Sequence, residues 1–239
     1  MRLDSLSEGV FLARPNRFGA WIRCGRRRHY VYVPNSGRLG ELLTPGAEVR
    51  WRSEMWPDRK TCGDLLLVKK ARRWVAVDAR LPPRLLSEAV GERAGLAPFG
   101  LCRQPTFEPP LGNGRADLLL PCADGPPWLI ETKCITLVVD GVARFPDAPT
   151  ERGERHMLEL AELAVHRSAR SVRPAVAFVC QRSDVYSFRP HDSLDPAFGA
   201  ALREAARAGV VVVAYRCRVG VGDIRILSPI GVDLSKEDP

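Results

Sequence analysis

Three side chains in one short stretch carry the types and the spacing for chemistry. The stretch runs from Arg115 to Lys133: Arg-Ala-Asp-Leu-Leu-Leu, a turn at Asp124-Gly125, then Trp-Leu-Ile-Glu-Thr-Lys. It reads as two adjacent strands, with Asp117 at the start of the first and Glu131 and Lys133 in the second. Side chains two apart on a strand share a face, so Glu131 and Lys133 point the same way. Two carboxylates and an ammonium group placed among apolar strands are costly to bury unless they pair or bind a metal. Hard cations such as Mg²⁺ or Mn²⁺ favour such oxygen ligands.

The spacing resembles the metal-dependent PD-(D/E)xK nuclease superfamily, named for its own motif. A structural salt-bridge cluster is the alternative at this level, because a hairpin with Asp on one strand and Glu-x-Lys on the next also arises without catalysis.

The rest of the chain must position that stretch. Its 239 residues, 45% hydrophobic and 27% charged, describe a globular protein of one large or two modest domains. The longest apolar run, Val210 to Tyr215, is too short to span a bilayer and the first residues lack the apolar core of a secretory signal, so a cytoplasmic protein with no membrane partner is expected. Seven cysteines, odd in number and without a Cys-x-x-Cys pair, predict reduced thiols and argue against a disulfide framework or a zinc ribbon.

Charge divides the chain. Residues 1–80 hold 17 Lys and Arg against 8 Asp and Glu, whereas the remainder holds 19 against 20, so the whole excess of +8 comes from the first third. A basic module joined to a near-neutral one suggests a polyanion partner, nucleic acid and most commonly DNA, against the alternative of a merely basic surface. Within this module, short strands are expected at Gly9–Trp21, Tyr30–Val33, Val49–Trp51, Gly63–Lys70 and Trp74–Val77, with Arg23–His29 turn-like. Such strands over 1–80 predict a small OB-like β-barrel. Its candidate nucleic-acid contacts are Arg14, Arg17, Arg23, Arg26, Arg27, Arg28, Arg52, Arg59 and Lys60, with Trp21, Tyr30, Tyr32 and Trp51 available for stacking or for the core.

Residues 81–234 read as an α/β (α+β) domain, followed by a frayed tail at 235–239. Leu81-Pro82-Pro83 opens a helix over Arg84–Ala94 with Glu88 at the edge of its apolar stripe. Asn113-Gly114 marks a hairpin turn. A helix is expected over about Glu154–His166, with Arg152, Arg155 and His156 in or before its first turn, where cations suit a negative neighbour better than the helix dipole. Val176–Cys180 is a buried strand, Asp195–Ala208 a helix ended by Gly209, and Val210–Arg216 another strand.

Six ordered segments carry a closer resemblance: Val33–Leu39 (VPNSGRL), Leu86–Ala89 (LSEA), Gly114–Leu119 (GRADLL), Ile130–Leu137 (IETKCITL), Phe145–His156 (FPDAPTERGERH) and Ala214–Cys217 (AYRC). They resemble the motifs of the sugar fermentation stimulation protein family, SfsA. The resemblance implies an N-terminal OB-like DNA-binding domain followed by a PD-(D/E)xK restriction-endonuclease-like domain. It lends acidic-site roles to Glu88, Asp117, Glu131 and Lys133, with Arg152, Arg155 and His156 beside them. Three positions depart from the family pattern: Cys134 where Asn is usual, Arg155 where Lys is usual, and Pro83 where Asn is common. Arg155 keeps the charge but replaces a point charge with a planar fork.

The expected activity is metal-assisted phosphodiester hydrolysis, with Asp117 and Glu131, joined by Glu88, holding Mg²⁺ or Mn²⁺. Lys133 is the cation for the transition state, and Arg152, Arg155 and His156 contact the phosphate backbone. The competing class is a non-catalytic DNA-binding regulator of sugar metabolism on a nuclease fold. No carboxylate pair suggests glycoside chemistry.

Overall fold

The computed structural model describes residues 1–54, 59–91, 96–112, 114–123, 125–166 and 171–236. Asn113 and Asp124 of the expected turns, residues 92–94 of the expected first helix and residues 237–239 of the tail lie outside these.

The first third is a barrel of β1 (Leu6–Asn16), β2 (Gly19–Cys24), β3 (Arg27–Tyr32), β4 (Glu48–Ser53) and β5 (Gly63–Lys70), with β6 (Arg73–Ala76) added to β5. It closes because β5 pairs with β4 antiparallel and meets β3 in parallel at Tyr32 and Asp64. Closure removes the sheet edges, and alternation fills the interior: Ala20, Ile22, Val31, Val49, Leu65 and Val68 are fully buried.

Two expectations are corrected here. The single strand expected over Gly9–Trp21 is broken at Arg17-Phe18, because Asn16 Oδ1 accepts from the Phe18 N–H (3.0 Å) and turns the chain. The broad turn expected over Arg23–His29 shrinks to Gly25-Arg26, with Gly25 at φ 58°, so the strands run almost to the tip.

The second domain is built on one sheet of nine strands. Its centre is three parallel strands, β11 (Trp128–Ile135), β14 (Arg173–Cys180) and β16 (Val211–Val219). β10 (Leu118–Leu120) runs antiparallel beside β11, with β7 (Thr106–Phe107) outside it. The far edge is β17 (Ile224–Val232), β15 (Ser187–Pro190), β13 (Val142–Phe145) and β12 (Val138–Val139). β8 (Pro110–Leu111) and β9 (Gly114–Arg115) form a separate hairpin.

Helices cover both faces. α2 (Glu151–Val165) and α3 (Pro196–Ala208) pack with Leu129, Ile135, Val176 and Phe178. α1 (Pro82–Gly91) packs on the opposite face through Leu86 and Val90, against Leu118, Ile130 and Ala175. α2 begins one turn earlier than expected because Thr150 caps it, accepting from Gly153 N–H at 3.0 Å. α3 follows its expectation, capped by Asp195 and ended by Gly209 at φ 104°.

The two domains share a junction. Gln181, fully buried after β14, donates from Nε2 to the carbonyls of Ala76 (2.9 Å) and Asp78 (3.0 Å), while Ala76 N–H donates to Gln181 O. An apolar cluster of Leu66, Leu67, Ala76, Leu85, Val179 and Cys217 fills the space beneath. The first residues belong to this junction too: Leu3 N–H donates to Gly222 O, and the N-terminal ammonium pairs with Glu88 at 2.6 Å. Not all the thiols are reduced: Cys102 and Cys122, twenty residues apart, form a disulfide across an isolated bridge between their backbones. A pairing made by backbone proximity leaves no trace in the cysteine spacing. No helix among the described residues is long and apolar enough to cross a membrane.

Candidate active site at the domain junction

A cleft of about 740 Å³ opens where the barrel meets the second domain. Arg17, Ser36 and Gly37 form its barrel side, Arg80 and Pro83 the side where the barrel passes into α1, and Asp117, Glu131, Thr132, Lys133, Asp147 and Arg152 its floor and far wall.

The sheet register positions the two carboxylates. Leu118 faces Ile130 across the β10–β11 pair, so the next step outward brings Asp117 to Glu131. Asp117 stands just before β10 begins. Its Oδ2 accepts from both the backbone N–H (2.7 Å) and the hydroxyl (2.6 Å) of Thr132, and its other oxygen makes no hydrogen bond with a described residue.

Glu131 is divided the same way. Lys133 Nζ donates to its Oε1 at 2.6 Å, and Nδ1 of His156 lies 2.5 Å from the same oxygen. Its Oε2 is buried and has no partner among the described residues. Each carboxylate therefore has one oxygen fixed by protein donors and one left over. A buried carboxylate oxygen without a partner is costly, and a divalent cation is the kind of group that offsets that cost. Asp117 and Glu131 are the residues that could hold such an ion, and no group of three or more His, Cys, Asp or Glu placed to hold one is found among the described residues.

The charges respond to this setting. Burial pushes the Asp117 carboxyl up from its usual value, the charge of Glu131 adds to the rise, and the Thr132 donors oppose it. For Glu131 burial acts upward as well, but Lys133 and His156 together outweigh it and hold the carboxyl below its usual value. Asp147 is raised, by burial first, although it accepts from the Leu39 N–H.

Of the residues singled out in the sequence, Asp117, Glu131, Lys133, Arg152 and Arg17 meet at the cleft. His156 is buried behind Glu131 and holds that carboxylate instead of facing phosphate, since α2 turns its side chain toward the sheet. Glu88 does not join them. Its helix packs on the sheet face opposite to Glu131, and its carboxylate pairs with the N-terminal ammonium. Arg155 is exposed and pairs with Glu159 one turn on.

In the barrel, Arg14 donates to the carbonyls of Arg17, Asn35, Gly37 and Arg38, so it braces the cleft wall. Arg23, Arg26, Arg27 and Arg28 are exposed around the β2–β3 tip, and Lys60 is exposed elsewhere. Arg52 approaches Glu54 at 4.0 Å, and Arg59 pairs with Asp64 at 3.3 Å.

Sequence reasoning missed Thr132, Arg80 and Asp147. Thr132 fills the variable position of Glu-x-Lys, where spacing carries no information. Asp147 lies inside the Phe145–His156 motif but had no partner until the fold laid it against Gly37, where a Cβ would overlap its carboxylate.

A closed barrel joined to an α/β domain, with paired carboxylates at the junction, defines a two-domain protein of the OB-plus-α/β type. Family models match both parts: the SfsA N-terminal OB domain over residues 12–77 and the sugar fermentation stimulation protein RE domain over residues 80–222. The chain belongs to the sugar fermentation stimulation protein family. It is 39% identical over 231 residues to a sugar fermentation stimulation protein homolog of Moorella thermoacetica, covering 96% of this chain and 97% of that one. It is 44% identical over 221 residues to that of Symbiobacterium thermophilum, covering 86% of each. Its structure is similar to that of Pyrococcus furiosus SfsA in complex with Ca²⁺, at TM-score 0.87 and 30% identity over 98% of both chains.

Proposed function

We propose that this protein is a divalent-metal-dependent nuclease that binds nucleic acid, DNA foremost, and hydrolyses phosphodiester bonds in the junction cleft. The observation that carries this reading is the division of labour within each carboxylate. Asp117 and Glu131 each give one oxygen to protein donors, and the second oxygen of Glu131 is buried with no partner among the described residues. That the similar Pyrococcus furiosus protein was solved in complex with Ca²⁺ supports a hard divalent ion in this family.

Asp117 and Glu131 would hold Mg²⁺ or Mn²⁺. When bound, such an ion supplies Lewis acidity, acidifying water and offsetting charge on the phosphate. Lys133, fixed against Glu131, sets a cation beside the carboxylates where negative charge develops. His156 keeps Glu131 ionised and in one rotamer. Arg17 and Arg152, on opposite walls, take phosphate oxygens of the bound strand.

The test is incubation of plasmid and single-stranded DNA with Mg²⁺, Mn²⁺ or EDTA. Cleavage that needs the metal and disappears in Asp117→Ala and in Lys133→Ala, with binding retained, is expected. Cleavage persisting in the Asp117→Ala/Lys133→Ala double variant would remove the proposal; binding without any cleavage by the unaltered protein would favour a non-catalytic DNA-binding regulator.

A further inference from the structure

The outer face of the β2–β3 hairpin carries a ladder of paired side chains that neither the barrel core nor the cleft uses. Ala20 and Ile22 of β2 and Val31 of β3 are fully buried, so by alternation Trp21, Arg23, Arg28, Tyr30 and Tyr32 face outward. The register sets Gly19 opposite Tyr32, Trp21 opposite Tyr30 and Arg23 opposite Arg28.

The aromatic rungs are built as platforms. Trp21 and Tyr30 have ring centroids 5.0 Å apart, and Phe18 stacks on Tyr32 at 6.1 Å with 23° between the planes. Tyr30 lies along the strand over Gly19, where any Cβ would overlap its ring, and its hydroxyl accepts from Asn16 Nδ2 at 2.8 Å. Trp21 and Phe18 nevertheless stay 41% and 45% exposed, a large apolar area for a surface otherwise lined by arginine.

Arginine stands at both ends of the ladder, ion-paired at the cleft end. At the tip, Arg23, Arg26, Arg27 and Arg28 are exposed and make no ion pair with a described residue. At the other end the guanidinium groups of Arg59 and Arg80 lie over the Tyr32 ring, 5.2 Å and 5.9 Å from its centroid, Arg59 paired with Asp64 and Arg80 with Asp64 and Asp78, and Arg80 itself lines the cleft together with Arg17. From Arg23 to Gly19 the strand covers about 13 Å.

We infer that this face is a track for an unpaired nucleic-acid strand, leading it from the hairpin tip into the carboxylate cleft; the inference rests on the proposed nuclease reading and names its substrate as single-stranded. Flat exposed rings interleaved with arginine suit a strand whose bases are free to stack while its phosphates are neutralised. A duplex hides its base faces and offers the rings nothing. An acidic protein partner would use the arginines but leaves the exposed rings without a purpose.

The experiment is fluorescence anisotropy in EDTA, so that cleavage is not read, with a labelled oligothymidine of about 20 nucleotides, enough to cover one OB barrel, and a blunt duplex of equal length. The unaltered protein is expected to bind the single strand more tightly than the duplex. Trp21→Ala should weaken single-strand binding about tenfold, the lower part of the range for one lost base stack, with little change for the duplex. Trp21→Phe should restore most of it, and the retained duplex binding shows that Trp21→Ala is still folded. Equal affinity for both forms, or equal loss of both in Trp21→Ala with no rescue by Phe, overturns the track while leaving the nuclease reading to its own cleavage assay. Tight single-strand binding by a protein that never cleaves with Mn²⁺ upholds the track and removes the nuclease.

Discussion

Nδ1 of His156 lies 2.5 Å from Oε1 of Glu131, both side chains being almost wholly shielded from solvent. An ionised carboxylate only accepts, so the imidazole carries a proton on Nδ1 and the contact fixes both the histidine tautomer and the glutamate rotamer. His156→Ala leaves a buried carboxylate with one donor fewer. It is expected to destabilise the protein by about 1–3 kcal/mol, read as a fall in thermal midpoint of roughly 2–4 °C per kcal/mol for a chain of this size. An unchanged midpoint would show that the contact fixes nothing.

Divalent ions should stabilise the fold through the two leftover carboxylate oxygens. Mn²⁺ at about a hundred times its dissociation constant adds about 2.7 kcal/mol. Calorimetry of the unaltered protein and of Glu131→Gln checks this: the variant should lose most of the Mn²⁺-dependent shift. A shift of equal size in both would place the ion elsewhere.

The two carboxylates should pull the pH dependence of stability in opposite directions. Glu131 is held below its usual 4.5, so its contribution is present above that pH and is lost as pH falls through the lower, folded value. Asp117 is raised above its usual 3.8, so the native state binds its proton more readily and stability declines as pH rises from there through the folded value. Asp117→Asn removes that decline. In urea titrations with EDTA, the variant should gain on the unaltered protein as pH rises above about 4. A constant difference across that range would contradict the raised carboxyl.

Gly37 and Asp147 should be coupled across the domain junction. The Asp147 carboxylate occupies the space of a Gly37 Cβ and accepts from Leu39 N–H at 3.4 Å. Gly37→Ala is expected to cost about 1–3 kcal/mol by overpacking, and much less in a protein already carrying Asp147→Ser. A double-mutant cycle in urea measures the difference; additive effects would mean the side chains do not meet.

The arginines at the β2–β3 tip should show in salt dependence. Replacing Arg26, Arg27 and Arg28 with Ala should lower the slope of log affinity against log salt by about 2 for single-stranded DNA, at about 0.7 per phosphate contact. Titrations at several salt concentrations give the slope, and no change in it would place these arginines outside the contact.

Much of this was legible in the residues themselves. Glu131 and Lys133 share a face because a strand has a period of two, and short strands between turn signals marked the first third as a barrel. Local chemistry also set the Asp195 cap and the Gly209 stop of α3. The tertiary structure decided what depends on contacts distant in sequence. Glu88 carries the right group on the wrong face, because α1 packs beneath the sheet and not above it. His156 turns inward to Glu131, Cys102 meets Cys122, and Asp147 settles on Gly37, each pair brought together by docking of elements far apart in the chain. Periodicity and charge are written residue by residue. Which oxygen of a carboxylate is fixed and which stays open follows from packing, and no spacing along the chain encodes it.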